Sequence, residues 1–84
     1  MTSAGKRLER MRNNPRDWTI EDVVTVAIEY DLEVRSPGGS HYTFSHRDVD
    51  FHLTIPAKRP IKPVYIRDLV KFIDVVREKQ NETS

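Results

Sequence analysis

The stretch that decides the fold is Gly38-Gly39-Ser40-His41-Tyr42-Thr43-Phe44-Ser45-His46, followed four residues later by Phe51-His52-Leu53-Thr54-Ile55-Pro56. Both segments alternate apolar and polar side chains, as half-buried strands do. The first segment opens on a glycine turn, and the second ends at a proline, which cannot donate to a strand ladder. The two segments therefore predict a β-hairpin that presents His41 at the start of its first strand.

The apolar positions also predict how the two strands pair. They carry even numbers in the first strand and odd numbers in the second, so they share a face only if paired positions sum to an odd number. Hairpin loops of two residues (48–49) or four residues (47–50) both give a sum of 97. This register places Phe44 opposite Leu53 and His41 opposite Pro56. The other face should be open to solvent, and it carries His41, Thr43, Ser45, His52 and Thr54.

Amphipathic helices are predicted before and after the strands in the sequence. Thr19, with Asp22 three residues later, indicates a helix start with a variant of the capping box. A second helix is predicted over residues 64–79, just after Pro63. The apolar stripe expected on the first helix is formed by Ile20, Val23, Val24, Ala27 and Ile28. The stripe expected on the second is formed by Ile66, Leu69, Val70, Ile73 and Val76.

The element order predicts an α+β fold. A short strand is expected over residues 32–35, so two helices would cover one face of a three-stranded antiparallel sheet in a two-layer, α-β-β-β-α sandwich. A short basic helix over residues 6–13 precedes it and is stopped by Asn13-Asn14-Pro15. The expected division is a basic N-terminal extension (1–16), one domain (17–79) and a polar tail (80–84).

Composition limits the class of protein. A chain of 84 residues makes one small domain with a modest core and has no room for a large cofactor, so we expect none. It contains no cysteine, which excludes disulfides and thiolate metal sites and fits a reducing compartment. No apolar run reaches the length of a signal peptide or membrane span. The expected location is therefore the cytoplasm, without membrane attachment.

Charge is distributed unevenly although the net charge is only +1. Residues 19–34 contain five acids and no Lys or Arg, whereas residues 35–63 contain five Lys or Arg and two acids. The cations gather around the hairpin and the acids on the first long helix. A basic face of this kind suits phosphate groups, although ordinary solvated side chains also produce such a pattern.

Several kinds of chemistry are disfavoured by the predicted register. His46 points away from His41 and His52, which are themselves offset by roughly 13 Å along the strands, too far to share a metal ion. No metal site is therefore expected. A Ser40–His41 nucleophilic pair is disfavoured because strand neighbours point apart. Gly38-Gly39 leads into a strand and lacks the lysine of a phosphate-binding loop.

General acid–base chemistry on RNA remains, because RNA supplies its own nucleophile, the 2′-hydroxyl. A protein then needs a base and cations that stabilise the charged phosphorane. His41 is the candidate base, because imidazole changes charge near neutral pH. Gly39 and Ser40 would shape the turn that exposes it, and the candidate phosphate-binding cations are Lys58, Arg59, Lys62 and Arg35. Two alternatives stay open, a non-catalytic RNA-binding module and a protein-interaction domain.

The motif residues resemble a known family. The sequence Gly39-Ser40-His41-Tyr42-Thr43-Phe44, then Leu53-Thr54-Ile55-Pro56, a Lys/Arg loop and a terminal amphipathic helix is similar to HicA-type toxins of bacterial toxin–antitoxin modules. The similarity covers about residues 19–78. Residues 10–15 also resemble an N-terminal extension found in one branch of that family. The chain has Tyr42 where the family often has a second histidine, and Pro63-Val64-Tyr65 where the family often has a Gly-Thr step.

The resemblance implies a fold, an activity and partners. It implies a double-stranded-RNA-binding-domain-like fold and a metal-independent mRNA endoribonuclease whose catalytic histidine is His41. It also implies a HicB-type antitoxin that covers this histidine. DNA would be contacted only indirectly, through that antitoxin.

Overall fold

The computed structural model describes residues 3–82 as a small α+β domain. Within this range the three helices and three strands are α1 (Ser3–Asn13), α2 (Ile20–Glu29), β1 (Glu33–Arg35), β2 (His41–His46), β3 (Val49–Pro56) and α3 (Pro63–Glu82). The strands form one antiparallel sheet in the order β1-β2-β3. The predicted fold class, two helices covering one face of a three-stranded sheet, is consistent with this arrangement.

The predicted register is confirmed over most of the hairpin. His41 pairs with Pro56 and Phe44 pairs with Leu53. The predicted hairpin loop was wrong, however, because His46 pairs with Val49 and the turn consists of Arg47 and Asp48. The register shifts between Phe44 and His46, where β2 contributes one residue and β3 three. Periodicity alone does not indicate a bulge of this kind, because the bulge changes the pairing and leaves the strand pattern on either side intact.

The bulge changes the environment of one predicted core residue. Phe51 lies in the irregular segment of β3 and is 54% exposed. It keeps an edge-to-face contact with Phe72 at 5.5 Å between ring centroids. Its expected burial with Leu53 and Ile55 was therefore wrong. Val49, at the start of the strand, is buried instead.

Helix α2 begins as predicted and ends in a well-defined cap. Thr19 Oγ1 accepts a hydrogen bond from the backbone N–H of Asp22, and the Asp22 carboxylate accepts one from the Thr19 N–H, so the capping box is confirmed. At the other end, Leu32 N–H bonds to the Ala27 carbonyl at 2.9 Å and Asp31 N–H to the Ile28 carbonyl at 3.0 Å. These two bonds form a Schellman motif, with Asp31 in the left-handed region at φ 64°.

The predicted stripe of α2 was partly wrong. The buried residues are Ile20, Val23, Val26 and Ala27. Ile28 is 59% exposed and Val24 is half-buried. The sequence Val23-Val24-Thr25-Val26-Ala27-Ile28 has apolar residues on more than one side of a helix. Its spacing therefore does not determine which side faces the core.

Helix α3 is longer than predicted. Pro63 is its first residue, and the Lys62 carbonyl accepts hydrogen bonds from the N–H groups of Tyr65 and Ile66. All five predicted stripe residues are buried. The helix continues to Glu82, so residues 80–82 of the expected polar tail are helical, and residues 83–84 lie outside the described range.

Helix α1 packs as part of the domain, whereas residues 1–16 were expected to form a separate extension. Leu8 and Met11 are almost fully buried in the same hydrophobic core as the strands and the other helices. Arg12 forms a bidentate ion pair with Asp74 of α3, and both N···O distances are 2.9 Å. The helix spans Ser3–Asn13, and residues 1–2 lie outside the described range.

The helices leave one sheet face uncovered. Phe44 and Ile55 point into the core, whereas His41, His52 and Thr54 are exposed and Thr43 and Ser45 are half-buried. None of the described helices is both long enough and apolar enough to cross a lipid bilayer.

Candidate functional site

His41 is the first residue of β2, and it is exposed. The turn before it is closed by a hydrogen bond of 3.3 Å from the Gly39 N–H to the Ser36 carbonyl. Gly39 has φ +75°, a conformation that glycine adopts without steric cost. The Ser36 hydroxyl donates to the His41 carbonyl at 3.1 Å. The backbone that carries the imidazole is therefore fixed by the turn on one side and by the strand on the other.

The Ser40 hydroxyl lies against the imidazole of His41. Its Oγ is 3.2 Å from Nδ1, and either atom can be the donor, depending on the histidine tautomer. The expectation that these neighbours point apart was wrong, because β2 begins at His41 and Ser40 lies outside the strand alternation. With Nδ1 engaged by Ser40, Nε2 is the ring nitrogen left to meet a substrate.

The basic loop that follows β3 starts beside His41. Pro56 is directly opposite His41, and the Ala57 N–H donates to the Ser40 carbonyl at 2.9 Å. Further along, the Ile61 side chain is buried and its N–H donates to the Trp18 carbonyl at 3.0 Å. These backbone bonds hold both ends of the loop, so its cations are presented from an anchored segment.

The loop lines a half-open cavity of about 500 Å³. The predicted cations Lys58, Arg59 and Lys62 all line it, whereas His41 does not. Pro56 connects His41 to the cavity, because it pairs with His41 in the sheet and also forms part of the cavity wall. The complete lining is Arg16, Asp17, Pro56, Lys58, Arg59, Pro60, Ile61, Lys62, Pro63 and Tyr65.

The loop cations differ in their partners. One guanidinium nitrogen of Arg59 lies 3.3 Å from both carboxylate oxygens of Glu21, at the start of α2. The pKa of Glu21 is lowered, first by a hydrogen bond from its own backbone N–H, and then by the Thr19 side chain and the charge of Arg59. Part of the Arg59 charge is thus neutralised within the protein. Lys58 and Lys62 are exposed.

Arg35 is placed apart from these cations. It ends β1 opposite Thr43, on the open face of the sheet, and its Nε lies 3.4 Å from the Glu33 carboxylate. It does not line the cavity. Arg35 therefore does not belong to the Lys58–Lys62 group.

The other two histidines have separate environments. His46 is buried, and its Nδ1 accepts a hydrogen bond of 3.1 Å from the Asp48 N–H, so it closes the hairpin turn. His52 is exposed in the irregular part of β3. Across residues 3–82, no three His, Asp or Glu side chains come together in a group that could hold a metal ion.

Three cavity residues from outside the basic loop were not predicted from the sequence. Arg16 and Asp17 come from the segment between α1 and α2, and Tyr65 comes from the first turn of α3. None of them has a motif to identify it, since their meeting depends on the bond from Ile61 to Trp18 that closes the loop. The one sequence signal is the proline spacing of residues 56–63, which excludes regular structure and indicates a shaped loop.

Comparisons with protein-family models, with curated proteins and with solved structures find no match for this chain.

Proposed function

We propose that this protein is a metal-independent endoribonuclease that cleaves mRNA, with His41 as general base. The observation that carries the proposal is the position of an exposed imidazole, held at Nδ1 by Ser40, directly across the sheet from Pro56, after which a loop with three cations begins. A base next to an anion-binding group is what RNA transesterification requires of a protein.

The proposed reaction uses the substrate's own hydroxyl. Nδ1–H of His41 donates to Ser40 Oγ, and the Nε2 lone pair takes the proton of a 2′-hydroxyl. The 2′-oxygen then forms a bond to phosphorus and the bond from phosphorus to the 5′-oxygen breaks. The products are a 2′,3′-cyclic phosphate and a 5′-hydroxyl, the leaving oxygen taking its proton from water or a lysine. Lys58 and Lys62 stabilise the negative charge on the phosphorane.

The family resemblance extends this proposal to a biological role. An exposed sheet face with His41 at the start of its central strand is consistent with a double-stranded-RNA-binding-domain-like toxin of the HicA type, acting in the cytoplasm. A HicB-type antitoxin would then neutralise it by covering His41. Any contact with DNA would be made by that antitoxin.

The test compares His41→Ala with His52→Ala, because both histidines are exposed and neither fills the core. We expect His41→Ala to reduce cleavage of a single-stranded RNA by about 10²–10⁴-fold, the usual contribution of a general base. His52→Ala should cleave like the wild type. Cleavage should continue in excess EDTA and should stop when the attacking 2′-hydroxyl is replaced by hydrogen.

The outcomes separate the enzyme from its alternatives. Undiminished cleavage by His41→Ala would remove the catalytic assignment. RNA binding without cleavage by the wild type would identify a non-catalytic RNA-binding module. Loss of cleavage in EDTA, restored by a divalent cation, would contradict the metal-independent mechanism.

A further inference from the structure

We propose that the half-open cavity lined by the basic loop binds one nucleobase of single-stranded RNA, next to the phosphate that His41 acts on. The inference rests on the proposed function and adds to it a site that determines where the RNA strand is held. The stacking surface is Tyr65 together with the rings of Pro56, Pro60 and Pro63. The flanking phosphates are met by Arg16, Lys58 and Lys62.

The composition of the cavity wall matches a nucleotide. A nucleotide combines a flat, weakly polar ring with an anion, and the wall combines prolines, an isoleucine and a half-buried tyrosine with cations. Four cationic side chains line the cavity against one carboxylate, that of Asp17. Its volume of about 500 Å³ lies within the range of roughly 300–1,000 Å³ that is usual for small-molecule sites.

The anchoring of the wall favours a preformed site. Ile61 is 1% exposed, and its N–H bonds to the Trp18 carbonyl, which ties the loop to the segment that carries Arg16. Tyr65 is placed by the first turn of α3, where its N–H bonds to the Lys62 carbonyl at 2.9 Å. A base would therefore enter between elements that are already fixed in position, which limits the entropy lost on binding.

The cavity lies next to the strand position of His41, the proposed base. Pro56 belongs to its wall and pairs with His41 across the sheet. Adjacent strands are about 4.7–4.9 Å apart, so this part of the cavity wall lies directly beside the His41 backbone. A base held in the cavity would thus place its own sugar or the neighbouring one near the imidazole. The site would set which linkage is cleaved.

The experiment measures binding of a short single-stranded RNA to full-length His41→Ala protein, so that cleavage does not interfere. Against this background, Tyr65→Ala should weaken binding by about 5- to 150-fold, the range given by the loss of one base–aromatic stack. Tyr65→Phe should retain the affinity, because it keeps the ring. The control is Tyr30→Ala, since Tyr30 is a half-buried tyrosine at the end of α2, outside the cavity. It should change the affinity less than twofold.

Two further readouts make the assignment specific to a base. The slope of log affinity against log salt should be the same for Tyr65→Ala as for the parent, because stacking releases no counterions, whereas Lys62→Ala should flatten it. Removing the base at one position of the RNA should weaken binding to the parent but not to Tyr65→Ala. Thermal melts of each variant verify that the fold is retained.

The results distinguish this inference from the proposed function. If the wild type cleaves RNA but Tyr65→Ala binds as tightly as its parent, the base site is wrong and the enzyme assignment stands. If binding depends on Tyr65 and on one base but no cleavage occurs, the base site stands and the enzyme assignment falls. The proposal is overturned if the losses of binding free energy from Tyr65→Ala and from the abasic position simply add. It is also overturned if the cavity binds only a protein partner.

Discussion

At the scale of single residues, the site depends on the contact between Ser40 and His41. An imidazole on an exposed strand end is free to rotate unless one nitrogen is held. The Ser40 hydroxyl at 3.2 Å from Nδ1 supplies that restraint. Ser40 is therefore a positioning residue, whereas His41 is the group that meets the substrate in the proposed reaction.

Ser40→Ala should lower kcat while leaving KM unchanged. One hydrogen bond contributes about 0.5–1.5 kcal/mol, which corresponds to a loss of roughly 2- to 12-fold in kcat. Ser40→Thr keeps the hydroxyl and should restore most of the rate. Steady-state cleavage of a labelled RNA gives both constants. Equal impairment of the alanine and threonine variants would show that Ser40 acts through the turn rather than through the imidazole.

The sequence predicted the position of His41 in the sheet, but it did not predict the contacts of the residues around it. The parity of the strand residues was enough to place His41 opposite Pro56, because a one-residue slip would turn the apolar side chains outward. The Ser40 contact was missed, since alternation applies only inside a strand. Arg59 was expected to bind phosphate, and its pairing with Glu21 was not predicted, because it depends on the loop path, for which the sequence has no periodic signal.

At the scale of elements, the loop of residues 57–62 carries the cations that are proposed to contact phosphate. Each Lys that contacts a phosphate of single-stranded RNA releases about 0.7 counterion. Replacing both Lys58 and Lys62 by Ala should therefore flatten the slope of log affinity against log salt by about 1.4 units. Arg59→Ala should have a smaller effect than one such lysine, because Glu21 already shares its charge.

The matched control for the loop is Glu21→Gln, which frees Arg59 without removing a cation. In that background, Arg59→Ala should flatten the slope by about 0.7 unit, as a free phosphate contact does. Binding titrations over a range of salt concentrations measure each slope. An unchanged slope in the double lysine variant would place the phosphates elsewhere, with the α1 arginines as the next candidates.

The end of α2 supports a second prediction at this scale. Asp31 occupies the left-handed position of the Schellman motif, where a side chain with a Cβ is disfavoured. Asp31→Gly should therefore be more stable than Asp31→Ala by about 1 kcal/mol in the free energy of unfolding. Both variants remove the same carboxylate, so their difference isolates the backbone effect.

Thr25 is the control position for this comparison, because it is exposed in the middle of α2. There the order should reverse, with Ala more stable than Gly by about 1 kcal/mol. Urea unfolding of the four variants measures both differences. The same order at both positions would mean that Asp31 carries no left-handed strain.

At the scale of the whole molecule, α1 contributes to the core from outside the α-β-β-β-α unit. The sequence predicted this helix as part of a basic extension, since residues 1–18 contain five Lys or Arg and two acids. The burial of Leu8 and Met11 depends on complementary surfaces of α2 and α3. Such pairing of distant segments leaves no signal in local periodicity.

The ion pair between Arg12 and Asp74 predicts that the docking of α1 depends on pH. Hydrogen bonds from Arg12 are the largest cause of the lowered pKa of Asp74. A lowered pKa in the folded state adds stability above the ordinary carboxyl value of about 3.9, and this stability is lost as pH falls through the folded value. Because both side chains are more than one-third exposed, solvent screening limits the contribution to about 1 kcal/mol or less.

Asp74→Asn should therefore be less stable than the wild type by up to about 1 kcal/mol at neutral pH, and the difference should shrink as pH falls below about 4 and wild-type Asp74 becomes protonated. Glu78→Gln is the control, since Glu78 is an exposed carboxylate on the same helix and forms no ion pair with another described residue. Urea unfolding across this pH range measures both. A difference for Asp74→Asn that stays constant with pH would mean that the variant disturbs packing, and that α1 is held by Leu8 and Met11 alone.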